Sequence, residues 1–271
     1  MLALKFNATC YLYKILDNGK QVLQNDIIAF FNDISISEGS FRKCYVGVIL
    51  DKNKKWVKTN DFPLGKCVVK KYKDKSFCRD KITDMVSSIL ARQCAVDFNK
   101  IVNIPNKLTF VLPYMSVDIL NKELAYVEPF LDGKFIKFSD NCGKENFNFS
   151  AYIPAFSHYS WIKYKGRMVI NDIQGIFKDS KYYLTDPAVQ SLELKYGNSD
   201  LGAIGIISFL ANHEHNDICK NWKWVPKEFD PLLKLFKANS IRRTTFRFEV
   251  EKNLVKFTQL YANLLKYVKF N

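Results

Sequence analysis

Three histidines occur in this chain, and all lie between residues 158 and 215, with a cysteine four residues beyond the last. Neutral imidazole and thiolate are preferred donors for tetrahedral zinc, and a structural site takes four of them. His158, His213, His215 and Cys219 make such a set and leave no position for water. The H-x-H-x3-C spacing favours zinc over the plainer alternative, polar residues at a helix end beside a buried cysteine. At i and i+4, His215 and Cys219 are expected on one helix face. No spacing rule joins His158 to them, but a shared ion would oblige distant parts of the chain to meet.

Carboxylates stand inside the same stretch. Met168-Val169-Ile170 reads as a short buried strand, and Asp172 lies at its C-terminal end, where α/β sheets place their chemistry. In extended backbone, residues two apart point the same way, so Asp172 and Gln174 can share a face. Gly175 then lets the chain turn or approach a ligand. Asp186 follows in a Thr-Asp-Pro turn. Two carboxylates and an amide oxygen form a hard oxygen set, suited to magnesium with phosphate as a further ligand. Taken singly, Asp172 ends a strand and Asp186 caps a turn.

Composition narrows the class. At 271 residues with 48% apolar content, the chain suits one domain of two lobes, or two small domains, with a substantial core. A formal charge of +14 attracts polyanions, including nucleotide phosphates. The basic runs Lys52-Asn53-Lys54-Lys55 and Lys70-Lys71-Tyr72-Lys73 read as solvated faces, and nucleic-acid binding has only net charge behind it. Seven cysteines, an odd number at scattered positions, suggest a reducing, cytoplasmic setting. The N-terminus lacks the pattern of a signal peptide, and no run reaches the length of a membrane span.

Before this stretch the chain alternates strand and helix signals. Residues 1–34 suggest strands and a short helix over Asp26-Ile27-Ile28-Ala29-Phe30-Phe31. A glycine turn at Gly39 leads into a β-prone strand, and 66–72 alternates with Lys70 inside its apolar part. Residues 79–99 carry apolar side chains at spacings of three and four, which predicts an amphipathic helix. A strand is expected at 108–112, a connector with a proline at 125–138, and a loop at 139–150. A glycine-bearing loop at 196–205 runs into a helix that delivers His213, and 251–270 is amphipathic again. The threonines of 241–245 lie beside arginines, a possible phosphorylation site.

The order F-S-H-Y, D-I-Q-G, L-T-D-P and H-x-H-x3-C resembles the α-kinase family of atypical protein kinases. Three earlier segments add to it. These are E-G-x-x-R-x-x-Y at Glu38 to Tyr45, V-V-K-K-Y at Val68 to Tyr72, and Y-V-E with G-K-F-I-K-F at Tyr126 to Phe138. The likeness spans about residues 36–224.

It implies an α+β, two-lobed atypical protein-kinase-like fold with a zinc-stabilised C-lobe. The N-lobe would be 1–127, the C-lobe 128–227, and a helical tail 228–271. By resemblance, Arg42 and Lys70 hold the phosphates of ATP, and backbone groups around Glu128 to Phe130 meet the adenine edge. Gln174 and Asp186 hold Mg2+. Asp172 orients the substrate hydroxyl and accepts its proton. Zn2+ is structural, and the partner is a protein substrate phosphorylated on threonine, favoured, or serine. Three departures stand out. His215 replaces a cysteine of H-x-C-x3-C, the gap from Gly175 to Thr185 is longer, and the glycine loop reads Y-G-N-S-D-L-G. The rival readings are a catalytically silent pseudokinase and a basic binding or scaffold protein.

Overall fold

The computed structural model describes residues 8–15, 21–31, 34–74, 82–103, 105–118, 123–144, 150–238 and 243–270. In chain order the elements are β1 (Ala8–Ile15), β2 (Gln21–Phe31), β3 (Ser37–Glu38), β4 (Arg42–Asp51), β5 (Lys66–Tyr72) and α1 (Thr83–Val102). Then come β6 (Lys107–Phe110), β7 (Tyr114–Asp118), β8 (Leu124–Pro129), β9 (Ile136–Lys137), α2 (Tyr152–Lys163) and β10 (Met168–Asn171). The last are β11 (Gln174–Lys178), β12 (Lys181–Thr185), β13 (Ala188–Ser191), α3 (Ala203–Asn212), α4 (Asp230–Ala238) and α5 (Arg243–Leu265). No helix among the described residues is long and apolar enough to cross a membrane.

The chain divides into two compact units. The first runs to Ile89 and takes in Val111–Asp132; the second comprises Leu90–Phe110 and everything from Gly133. This differs from the single cut expected at 127/128, for a physical reason. The backbone N–H and carbonyl of Leu108 both bond to the Asn99 side chain, and β6 pairs in parallel with β12. Residues 228–271 also fall within the second unit, where a separate tail was expected.

The first unit is an antiparallel sheet in the order β2-β1-β7-β8-β5-β4-β3. A further β2–β4 pairing, Ile27↔Asp51 through Phe31↔Gly47, closes it on itself. Closure leaves β2 and β4 without open edges along that stretch. Alternate residues point inward, so Cys10, Leu12, Ala29, Phe31, Ile49, Cys67, Val69, Ala125 and Val127 form the core. The helix expected over 26–31 is part of β2. Its apolar run is claimed by ladders on both sides, to β1 and β4, and long-range pairing overrides the local pattern.

The second unit holds a sheet ordered β6-β12-β11-β9, the pair β10–β13, and four whole helices. Helix α2 is enclosed nearly all round, with Ile153, Ala155, Phe156, Ser157, His158, Ser160 and Trp161 buried. A helix this deep cannot be polar without local partners. Ser157 Oγ donates to the Ile170 carbonyl at 2.8 Å, and Ser160 Oγ accepts from the Ile170 N–H at 2.9 Å. α3 is buried along its length and ends at Asn212, with His213 as its extended cap. Residues 213–216 are irregular and 217–220 form a turn, so His215 and Cys219 do not share a helix face as expected. The 241–245 site falls on residues 241–242, outside the described part, and on side chains that are not described before Asn253.

Gly47 sits where β4 is flanked on both sides. A Cβ there would stand 2.5 Å from the Phe30 carbonyl oxygen and 2.8 Å from Cys67 Sγ. Gly47→Ala should therefore destabilise the first unit by about 1–3 kcal/mol. Urea unfolding followed by tryptophan fluorescence, using Trp56 of this unit, checks it; an unchanged midpoint would contradict the closed-sheet packing.

Candidate functional site

The carboxylate corner is built by backbone stitching in the second unit. Strand β10 ends at Asn171, and Asp172 takes a left-handed φ of 57° while its N–H bonds to the Asp140 carbonyl at 3.2 Å. The Ile173 N–H bonds to Ser139 Oγ at 3.0 Å, and the Ile173 carbonyl accepts from the N–H groups of Phe138 and Ser139. Gln174 then opens β11, paired with Lys137 on one side and Thr185 on the other. Asp186 follows Thr185, also left-handed at φ 50°. These pairings bring Asp172, Gln174 and Asp186 to one end of one sheet. Gly175 is required there, because a Cβ would lie 2.0 Å from the Tyr183 carbonyl oxygen.

The Lys137 ammonium stands 2.6 Å from Asp172 Oδ1. Burial pushes the Asp172 carboxyl above its ordinary range, the charge of Lys137 pulls it back, and Asp186 and Asp140 push it up again. A carboxylate of raised proton affinity beside a lysine can accept a proton. Gln174 and Asp186 supply the hard oxygens a divalent cation prefers.

The histidine cluster sits on α2, on the end of α3 and on the turn after it. His158, His213 and Cys219 are buried, and each places one ligand atom within 4.8 Å of the other two. Cys219 Sγ lies 3.6 Å from His213 Nε2, close to the separation of two donors on one tetrahedral zinc, about 3.6 Å from standard bond lengths. His158 Nε2 lies 2.7 Å from the Lys223 carbonyl. A carbonyl only accepts, so this nitrogen carries the hydrogen and Nδ1 keeps its lone pair. That Nδ1 is buried with no protein partner, as a metal ligand would be.

Burial lowers the His158 pKa to about 3, against the pull of the Lys223 carbonyl, and that of His213 to about 4. Both imidazoles are therefore neutral, the form that binds metal. The His215 ring stands 5.2 Å from His158 and 5.1 Å from His213, but this residue is outside the tight group of three.

In the first unit, Lys70 is buried on β5, and its ammonium meets Glu128 Oε2 at 2.7 Å. Glu128 lies on β8 opposite Val68, so the two side chains meet diagonally across the ladder. Arg42 opens β4 and donates to Asp84 Oδ2 at 2.9 Å; the Tyr72 hydroxyl reaches the same oxygen at 2.6 Å. The Phe130 N–H is bonded to the Lys66 carbonyl at 3.1 Å.

A model of the Alpha-kinase family matches residues 37–219. The chain belongs to the alpha-kinase family. Alpha-protein kinase vwkA of Dictyostelium discoideum is 28% identical over 229 residues, 81% of this chain and 35% of that protein. Alpha-protein kinase 1 of Mus musculus is 31% identical over 199 residues, 65% of this chain and 16% of that protein. The chain thus spans about a third of the first relative and less of the second. The solved alpha-kinase domain of myosin heavy chain kinase A in complex with ADP superposes with a TM-score of 0.65 at 24% identity, over 80% of this chain and 96% of that one. The expected α+β alpha-kinase fold is the fold found.

Within this alpha-kinase framework the structure adds partners that local sequence does not identify. Lys137 faces Asp172, Asp84 holds both Arg42 and the Tyr72 hydroxyl, and Glu128, expected to meet adenine through backbone groups, holds Lys70 with its side chain. Lys137 lay within the G-K-F-I-K-F run, and its role there needed the β9–β11 register. The first-turn Asp84 carried no signal beyond its place at a helix start.

Breaking the buried Lys70–Glu128 pair from one side strands a charge. Lys70→Met or Glu128→Leu alone should cost about 3–5 kcal/mol, and the double variant Lys70→Met/Glu128→Leu much less. Urea unfolding of the four proteins checks this; equal losses in the single and double variants would mean that the pair is not coupled.

Proposed function

We propose that this alpha-kinase chain is a Mg-ATP-dependent serine/threonine protein kinase that favours threonine. The observation that carries the reading is the corner where Asp172, paired with Lys137, shares a sheet end with Gln174 and Asp186. Asp172 would orient the substrate hydroxyl and take its proton as the oxygen attacks the γ-phosphorus. The bond to the β–γ bridging oxygen breaks, and ADP leaves. Phosphoryl transfer asks mainly for positioning and charge neutralisation. Gln174 and Asp186 would hold magnesium, which neutralises phosphate charge.

Arg42 and Lys70 would hold phosphates from their preset positions against Asp84 and Glu128. With the Phe130 N–H already bonded, an adenine edge would use other backbone groups of that connector. The solved relative with ADP supports a nucleotide ligand. Its printed name makes myosin heavy chain that kinase's target, and no such substrate is carried over here.

Transfer from labelled Mg-ATP to a mixed basic-protein substrate, with Asp172→Ala in parallel, tests the reading. Label on threonine or serine from wild type, lost in the variant, is the expected result. A folded, ATP-binding wild type that transfers nothing would be a pseudokinase, and one that also fails to bind ATP would be a binding protein. A pH profile adds a check. A protonated Asp172 cannot accept a proton, so activity should fall on acidification at a pH above the ordinary carboxylate range. Lys137 lowers the Asp172 pKa, so Lys137→Met should move that acid limb to higher pH. An unmoved limb would remove Asp172 as the base.

We infer further that His158, His213 and Cys219, with His215 as fourth ligand, hold a structural zinc. The unpartnered His158 Nδ1 and the neutral imidazoles support this. Zinc would tie α2 to the chain beyond α3. Chelation should then unfold the second unit rather than merely slow turnover. Circular dichroism of a sample shown to be metal-free checks it, and a retained fold would dismiss a structural zinc.

A further inference from the structure

The family match ends at residue 219, yet the histidine cluster rests on residues beyond it. The Lys223 carbonyl fixes the tautomer of His158. The Trp224 ring lies against all three histidines, with centroids 4.8 Å from His158, 5.2 Å from His213 and 4.6 Å from His215. This arm, 222–225, has no helix or strand of its own to hold it. A carbonyl that orients a ligating histidine from irregular backbone stays in place only if something else secures it.

The end of the chain supplies that support. Lys223 Nζ donates to the Lys269 carbonyl at 2.7 Å. Phe270 packs on Trp161, with ring centroids 5.2 Å apart, and Trp161 follows His158 by about one turn of α2. Tyr261 is fully buried; its hydroxyl accepts from Trp161 Nε1 and donates to the Gly166 carbonyl, both at 2.8 Å. The tail lies so close to Gly166 that a Cβ there would stand 2.5 Å from Leu265 Cδ2 and 3.0 Å from Phe270 Cζ. The same few residues therefore grip the helix that carries His158 and the arm that orients its ring.

We propose that residues 261–270 form a clasp on the metal centre, holding the 222–224 arm against His158 and so setting how firmly zinc is retained. The proposal rests on the zinc reading above. Tyr261 and Lys223 act as positioning residues, because neither offers zinc a ligand in this arrangement. Outer groups that orient a ligating histidine change metal affinity about 10–100-fold.

The test uses the full chain loaded with zinc, and follows zinc release to 4-(2-pyridylazo)resorcinol under native conditions. Tyr261→Phe removes both hydroxyl bonds, and Lys223→Met cuts the tie to Lys269 while keeping the Lys223 carbonyl. Phe257→Ala is the control; it loosens the α4–α5 contact with Phe236, whose ring lies 5.2 Å away, and removes neither the Tyr261 hydroxyl bonds nor the Lys223–Lys269 tie. Release should be at least about tenfold faster in the two clasp variants. The control should release zinc at the wild-type rate although its melting temperature falls. If Tyr261→Phe does not fold, the surface-side Lys223→Met carries the comparison. Wild-type release rates in both clasp variants would overturn the clasp, as would release that simply follows melting temperature across all three. A wild-type chain without stoichiometric zinc by elemental analysis would instead overturn the zinc reading, and the clasp with it.

Discussion

Everything in the second unit depends on how α2 is fastened to β10. Two serine hydroxyls bind one residue from both sides: Ser157 takes the carbonyl of Ile170 and Ser160 its N–H. Each such bond contributes only about 1 kcal/mol net, but an abandoned buried partner costs more, so register slips are penalised twice. Ile170 stands two residues before Asp172, and His158 lies between the two serines on α2. The carboxylate corner and the histidine cluster are thus two consequences of one seam. A disturbance of α2 should reach both, even though the two sites share no ligand.

The second organising principle is pairing of charge before any ligand arrives. Lys70 meets Glu128, Arg42 meets Asp84, and Lys137 meets Asp172. For a chain of formal charge +14, this keeps these three cations at defined positions instead of on flexible stems. Pairing does not disqualify Lys70 and Arg42 as the proposed phosphate ligands. An ammonium has three donors and a guanidinium five, so one carboxylate does not exhaust either. What pairing provides is preorganisation, and a charge already fixed by a partner would lose little freedom on meeting a phosphate, as proposed for Lys70 and Arg42.

Much of this could be read from residues alone, and the omissions share one cause. The strands at 42–51, 66–72 and 168–171, the helix at 83–102 and the helix ending before His213 all follow from local periodicity. Local pattern failed over Asp26 to Phe31, where β1 and β4 claim the chain, and over 213–219, where irregular backbone and a turn replace the expected helix. It also missed the partners Lys137, Asp84 and Tyr72, which are defined by register and not by spacing. The residue types proposed for the site stand in the sequence itself, because phosphoryl-transfer and metal chemistry favour few side chains. Their partners were hidden, since many side chains could have filled those places had the ladders been set differently.

Backbone conformation shows the same division most sharply. Both Asp172 and Asp186 are left-handed, a conformation that costs a non-glycine residue on the order of 1 kcal/mol. Aspartate tolerates it better than most, but tolerance alone does not create it. The surroundings impose it: the Asp172 N–H is tied to Asp140, Ile173 is tied on both faces of its peptide to 138–139, and Gly175 lets Tyr183 come too close for any side chain. Relaxing either aspartate would mean giving up sheet pairing on its flank. The strain is held by the same ladders that place Gln174 between Lys137 and Thr185, so the corner proposed to orient a hydroxyl and a cation is also one the fold cannot readily flatten.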